Sequence, residues 1–414
     1  MHQHFARHLG LAATTTAAIF LSACGGGDDD NGDSAAPTTT RGTLAVSYMP
    51  NAPACGFDAV NLAVSKLRLR QDFNTDPNAT GWTELAFSPA RRINLLHPAS
   101  VLAGTAAALG EIELPTGTYT QMALVLEPAG NSVRVARAAN DTPLETAAAV
   151  ASGVRLPVDF RVEDGKKLNL LFEFNACDAI QMRGATYVLK PRLRPVPAAG
   201  GAIGGFVDPA ALAGNVVVTA QKGGTVVATA VPHPGTGEFL LPRLAKDSYD
   251  VVLQATGRAT GVIGAVPVAD SGTTGVGTAA APIRLAPSAV GTISGQVSYV
   301  APAVAPEDGT WIWASQTISA DPAVGNASTI VTSRLQPVDL ATGNYALRNL
   351  ARASIQYALY KPNVPLTLAN AATSGGNGRY RIEAQATGYI GKTGASANIN
   401  TSSGDVANVN IAMP

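Results

Sequence analysis

Charge is scarce in this 414-residue chain. Asp, Glu, Lys and Arg together make up 14% of it, as 29 basic and 29 acidic side chains with no net charge. That balance leaves no basic footprint for nucleic acid and no pull toward an anionic membrane surface, so no nucleic-acid partner is expected. Histidine is rarer still. His2, His4 and His8 crowd the start, and only His97 and His233 follow, far apart and each beside a proline. With no His-Glu-x-x-His and no Cys/His cluster, neither a metal site nor a cofactor is expected. Gly-x-Ser-x-Gly, Ser-x-x-Lys, a Walker-type phosphate loop and a dinucleotide fingerprint are all missing. The chain therefore reads as a non-enzyme. The carboxylates Glu111, Glu113, Glu173 and Asp178 would make a hydrolase only if the fold paired them as glycosidase acids.

Apolar side chains are plentiful, at 46%, and Gly and Pro number 42 and 27. This excludes a disordered chain and supplies a core for the two or three domains that the length suggests. Before Cys24 the only charge is Arg7, and the run from Leu9 to Leu21 is uncharged and mostly apolar. It is too short to span a bilayer and reads as a signal peptide over residues 1–23. Residues 24–40 follow as a flexible acidic tether carrying Asp28, Asp29, Asp30 and Asp33.

Leu21-Ser22-Ala23-Cys24 resembles the lipobox of bacterial lipoproteins; the other reading is an ordinary secreted protein whose cleavage site precedes a cysteine. The resemblance implies acyl chains, palmitate among them, on Cys24 and a lipid anchor in the membrane. Gly25 after that cysteine favours the outer membrane under the sorting rule of such proteins. Cys55 and Cys177 remain. In an exported protein an even pair reads as a disulfide, here closing a long loop, with two buried free thiols as the alternative.

Beyond the tether, short β-rich runs recur between Gly, Pro, Asn and Asp. Gly42–Met49 is the first. The second begins Val60, Leu62, Val64 and shifts phase to Leu67 and Leu69, which predicts a β-bulge near Ser65 and Lys66. Trp82–Leu85, Arg92–Leu96, Tyr119–Glu127, Val133–Ala136, Val154–Val162, Leu168–Phe174 and Tyr187–Leu193 follow, with Ala99–Leu109 as a short Ala-rich helix. The set predicts an antiparallel β-sandwich over residues 41–197.

Ala52-Pro53-Ala54-Cys55-Gly56-Phe57-Asp58, Leu114-Pro115-Thr116-Gly117-Thr118-Tyr119, Phe172-Glu173-Phe174-Asn175-Ala176-Cys177 and Tyr187-Val188-Leu189-Lys190-Pro191 occur in order. They resemble domain-of-unknown-function family 4382, which implies an exported β-sandwich without an assigned activity. Asn51 and Asn175 depart from the family pattern.

After the Pro-rich stretch Pro191–Pro197, read as a linker, the chain repeats itself. Gly201-Ala-Ile203-Gly-Gly205-Phe-Val207 returns as Gly291-Thr-Ile293-Ser-Gly295-Gln-Val297. Thr236–Ser248 matches Thr342–Ser354 without a gap and with nearly half of its positions identical, and Gln254-Ala-Thr-Gly257 returns as Gln385-Ala-Thr-Gly388. The spacing between the copies widens from each matched segment to the next, so the second copy carries two insertions, the later one the longer. Both copies, 198–287 and 288–414, resemble carboxypeptidase-regulatory-like modules, which implies transthyretin-type sandwiches of seven strands serving as spacers or binding faces.

Leu285–Pro306 carries no charge at all, yet its prolines read as a linker and a strand rather than a membrane span. Trp311 and Trp313 would share a face of a strand. They are either core or an aromatic platform for a glycan. Four Asn-x-Ser/Thr sequons, Asn78 and Asn326 among them, are read as accidental. The whole is expected to be all-β: an N-terminal antiparallel sandwich, then two tandem Ig/transthyretin-like sandwiches. The expected role is a lipid-anchored cell-envelope protein, structural or ligand-binding, with an envelope protein or glycan as partner. A surface adhesin or glycan-binding protein is the alternative and an envelope hydrolase the third reading.

Overall fold

A computed structural model describes residues 40–50, 56–72, 74, 76, 79–96, 105–174, 179–190, 193–196, 200–300, 306, 309–321, 325, 327–386 and 394–413. Among these the structure is all-β, with two short helices at Ala147–Ala151 and Pro209–Leu212. No helix among the described residues is long and apolar enough to cross a membrane.

The first sandwich takes shape from alternation. In Arg41–Met49 the buried Leu44, Val46 and Tyr48 enter the core while Thr43, Ala45 and Ser47 stay partly open. This strand lies between Lys167–Phe174 and Ala107–Pro115, with Leu193–Pro195 at the edge. The facing eight-stranded sheet centres on Phe57–Arg70, flanked by Thr83–Asn94, Gly117–Leu126 and Ser132–Val135. Its register shifts between Val64 and Lys66, the bulge that the change of phase predicted; it keeps Leu62, Val64, Leu67 and Leu69 all buried.

Several local expectations are corrected. Arg41–Met49 runs parallel to Lys167–Phe174, and Thr186–Leu189 runs parallel to Thr142–Glu145, so both sheets are mixed. Most of Trp82–Leu85 and Arg92–Leu96 falls in a single strand, Thr83–Asn94, whose register against Phe57–Arg70 shifts between Ala86 and Arg91. The Ala-rich helix does not reach Leu109: residues 107–109 open the strand Ala107–Pro115, whose Leu109, Ile112 and Leu114 are buried. Residues 97–104 lie outside the described residues. Within the Pro-rich stretch, Leu193–Pro195 pairs with Lys167–Phe174; proline is tolerated at such a sheet edge.

The two repeat copies share one topology. In the first, Glu238–Leu244, Gly201–Phe206 and Thr273–Val276 form one sheet, and Thr225–Ala230, Val217–Lys222, Asp247–Gln254 and Gly261–Val268 form the other. In the second, Asn344–Ala351, Val290–Tyr299 and Ile411–Met413 face Ala327–Pro337, Thr310–Asp321, Arg379–Ala386 and Gly394–Asn400 in the same order.

The repeated Thr-Gly-x-aromatic segment is a turn held in the same way twice. Gly237 and Gly343 sit at φ +74° and +70°, where a Cβ would come within 2.1 Å of the Val207 carbonyl oxygen and 2.3 Å of that of Val297. Gly205 and Gly295 let a neighbouring strand approach as closely: a Cβ there would lie 2.0 and 2.1 Å from the Val276 and Val409 carbonyl oxygens. Phe239 and Tyr345, two residues beyond each turn glycine, are buried in their respective cores.

Both insertions in the second copy reach the first copy. The shorter one lengthens a hairpin. Thr310–Asp321 and Ala327–Pro337 replace the much shorter strands of the equivalent pair, Val217–Lys222 and Thr225–Ala230. Its Ile318 and Val331 join Ile355 and the first copy's Val252 and Val262 in a separate buried cluster. Gln221 of the first copy clamps Thr332 there, its side-chain oxygen accepting from the Thr332 N–H at 2.8 Å and its amide donating to the Thr332 carbonyl at 2.8 Å. The longer insertion supplies Gln356–Leu359, which adds in parallel to Gly261–Val268 and extends the first copy's larger sheet, followed by Ala369–Asn370. Tyr360, Leu366 and Leu368 then pack on the first copy's core. The first sandwich touches the second copy through Met182, whose carbonyl accepts from the Leu340 N–H at 2.8 Å.

Candidate functional site

A cleft of about 370 Å³ opens where all three sandwiches meet. The first sandwich contributes Gly56, Asp58 and Arg137 to its wall; the first copy adds Gln254, Arg258 and Thr260; the second adds Ser333, Arg334 and Asn349. Its charge is lopsided, with three arginines and a single carboxylate, Asp58.

Each arginine is placed by its local backbone. Arg137 follows the strand Ser132–Val135 at φ +66°, and its N–H donates to an Asp58 carboxylate oxygen at 2.9 Å. Arg258, in the turn after Asp247–Gln254, is tied down by donating to the carbonyls of Ala210 at 2.6 Å and Leu285 at 3.4 Å. Arg334 lies on the long hairpin, opposite Ala314 and next to the register shift at Ser333. Cross-strand partners share a face, and Ala314 belongs to the second copy's core. The Arg334 side chain therefore starts from the core side of the sheet at its rim, and burial pushes its guanidinium below the ordinary arginine range. It remains a cation at neutral pH. Among the described residues no ion pair engages Arg137, Arg258 or Arg334.

None of the described candidate site residues singled out from sequence lines the cleft. Cys24, Cys55, Cys177, His97 and Asp178 fall outside the described residues. Trp311 and Trp313 do share a face of Thr310–Asp321, the one opposite the buried Ile312 and Ala314. Trp311 is only 6% exposed, so it offers no open ring face; Trp313 is partly exposed and donates its indole N–H to Glu383 at 3.2 Å. Leu335, across from Trp313, is 40% exposed. The third tryptophan, Trp82, is flanked by Arg68 and Arg70, whose guanidinium carbons lie 5.6 and 5.4 Å from its ring centroid.

Of the candidate acids, Glu111, Glu113 and Glu173 are described and none lines the cleft. Glu111 and Glu113 are exposed on one strand, and Glu111 is bonded to Lys167 at 2.5 Å. Among the described residues no group of three His, Cys, Asp or Glu side chains could hold a metal ion. His233 serves a turn, its Nδ1 accepting from the N–H groups of Gly235 and Thr236 at 3.2 Å each.

Sequence reasoning missed the cleft because its three arginines lie far apart along the chain, one in each sandwich. One signal was present. Arg334 stands in a β-rich run, where a lone cation is out of place on a core-side position.

No curated protein matches the chain. Among solved structures, a cohesin–X-dockerin complex from Acetivibrio cellulolyticus is similar at 21% identity over 22% of this chain and 59% of that one, with a TM-score of 0.19. The match thus spans less than two thirds of that protein's own length. A streptococcal ancillary pilin is similar at 8% identity over 90% of this chain and 99% of its own, TM-score 0.18. One B repeat of the collagen-binding surface protein of Staphylococcus aureus is similar at 12% identity over 52% and 97%, TM-score 0.18. At the N-terminal sandwich the comparison is with a family rather than a structure: residues 41–191 match the family described as Domain of unknown function (DUF4382).

Proposed function

We propose that this chain is a lipid-anchored protein of the bacterial outer membrane whose β-sandwiches form a rigid, non-catalytic body with a structural or ligand-binding role. Leu21-Ser22-Ala23-Cys24 supports acylation of Cys24 after removal of residues 1–23, and the polar segment behind it supports a flexible tether. A disulfide between Cys55 and Cys177 belongs to the same reading, since the anchor implies an oxidising compartment. The observation that carries the rigid body is Gln356–Leu359 of the second copy completing the first copy's sheet. Tandem modules joined by a linker alone move relative to one another by default. A shared hydrogen-bonded sheet and a buried cluster between the copies suit a spacer or a scaffold.

Surface adhesion or glycan binding is the second reading. It is favoured by Trp313 beside the exposed Leu335, an apolar surface of the kind that stacks on a sugar ring.

Protease digestion of intact cells, run beside a Cys24→Ala variant, tests the proposal. The variant is expected to leave the membrane fraction, and its retention there refutes the lipid anchor. Digestion of the wild type on whole cells places the body outside and favours adhesion. Digestion only after permeabilisation places it in the periplasm and favours a scaffold.

A further inference from the structure

We infer that the cleft between the three sandwiches is a binding site for a small organic oxyanion of sugar-acid size, gripped by the Arg334 guanidinium. Its volume of about 370 Å³ lies within the range of small-molecule sites, roughly 300–1,000 Å³. Arg334 carries the inference. A guanidinium drawn into a protein rim without a counter-ion is costly to hold, and no carboxylate among the described residues repays that cost in the unliganded chain. Its planar fork fits a carboxylate or a phosphate through two parallel hydrogen bonds.

The surroundings match such a ligand. Arg137 and Arg258 add positive potential, and Arg258 is already oriented by its two carbonyl partners. Thr260 supplies a hydroxyl suited to a sugar hydroxyl, and the side-chain oxygens of Gln254 and Ser333 can accept from one, their donors being engaged by the Thr332 carbonyl and by Gln316 at 3.3 Å each. Asp58 is the one opposing charge, and its carboxylate is engaged by the Arg137 N–H at 2.9 Å. Because each sandwich contributes to the wall, an occupant would also bridge them. This site does not depend on where or whether the chain is anchored.

The test uses the full chain purified in detergent, in low-salt buffer free of phosphate, with D-glucuronate, D-glucose and inorganic phosphate as probes. Saturation-transfer NMR follows the sugars, and phosphorus line broadening follows the phosphate. Glucuronate is expected to bind and glucose not to. Arg334→Met is expected to weaken glucuronate by tenfold or more, about the worth of a charge-assisted hydrogen-bond pair. Arg334→Lys, which keeps the charge and loses the fork, should fall between, and Arg348→Met, an exposed arginine outside the wall, should bind as the wild type does. Binding of phosphate in place of glucuronate, with the same dependence on Arg334, also supports the site and names phosphate as its occupant.

A structural reading of Arg334 predicts the opposite stability change. If the residue is kept for a ligand, Arg334→Met holds or raises the thermal midpoint of the unliganded chain. The inference is overturned if neither anion binds the wild type, if Arg334→Met binds like the wild type, or if that variant lowers the unliganded midpoint.

Discussion

The two repeat copies fold alike and serve differently. Where they coincide, the match reaches single hydrogen bonds. His233 and Asp339 occupy equivalent places, and each side chain accepts from two N–H groups of the turn that follows it. Arg243 and Asn349, also equivalent, both adopt positive φ, at 57° and 61°. The Tyr249 hydroxyl donates to the Ala245 carbonyl at 2.9 Å; Tyr380 makes the same bond to Ala351 at 2.7 Å, although the longer insertion has entered between them. The Tyr119 bond to the Pro115 carbonyl at 3.1 Å repeats this corner in the first sandwich. Where the copies differ, the added hairpin and the added strand Gln356–Leu359 lie against the first copy. The frame is kept by turns and corners, and new contacts are built from what is inserted between them.

If the turns are the frame, breaking them should cost the most and cost both copies alike. Gly237→Ala and Gly343→Ala each force a methyl group against a backbone carbonyl at positive φ. Each is expected to destabilise its copy by about 4 kcal/mol, the combined scale of left-handed strain and overpacking. Denaturant titration of the two variants checks this, and a cost confined to one copy breaks the equivalence. Ile355→Ala comes next. It empties a buried position in the cluster between the copies and should cost about 3 kcal/mol. Calorimetry should show the copies melting together in the wild type and apart in this variant. A single unchanged transition would mean that the insertion does not couple them.

The sequence made the frame legible because its constraints are local. A glycine facing a carbonyl, a change of phase at a bulge and an aromatic after a turn each leave a mark within a few residues, which is why Ser65-Lys66 and the repeats could be read directly. The parallel pairing of Arg41–Met49 with Lys167–Phe174 could not, since alternation sets which face is buried but not which strand lies alongside. The insertions were visible as lengths, yet where they dock depends on the exposed edge of Gly261–Val268, which is distant in the chain. The cleft was the least legible feature, being assembled from three regions that carry no shared motif.

The tyrosine corners sharpen the comparison at a smaller scale. Tyr249→Phe and Tyr380→Phe each remove one hydrogen bond and leave a carbonyl unpaired, for about 1–2 kcal/mol. The Tyr380 hydroxyl is buried and the Tyr249 corner less so, so Tyr380→Phe should cost more, and equal denaturation midpoints would contradict that ranking. Burial raises the pKa of both hydroxyls, with Asp247 adding to the rise at Tyr249.

The smallest expected effect is the pH dependence of the Asp339 turn. At Asp339 burial pushes the carboxyl up, but hydrogen bonds from Thr342, Ala341 and Gly184 outweigh it and hold the group below the usual aspartate value. A group depressed in the folded state stabilises the fold above its unfolded value, near about 3.9, and loses that contribution as pH falls through the folded value. The second copy should therefore lose stability below about pH 4 through this turn. Asp339→Asn keeps an acceptor oxygen and removes the titration. The retained oxygen can still accept from Ala341 and Thr342, but the amide NH2 then faces the Gly184 N–H, so the variant should lose about 1 kcal/mol near pH 7 and flatten the acid limb relative to the wild type. Calorimetric midpoints of both proteins from pH 7 to pH 3 decide the matter: parallel curves would mean that the carboxylate charge plays no part in the turn.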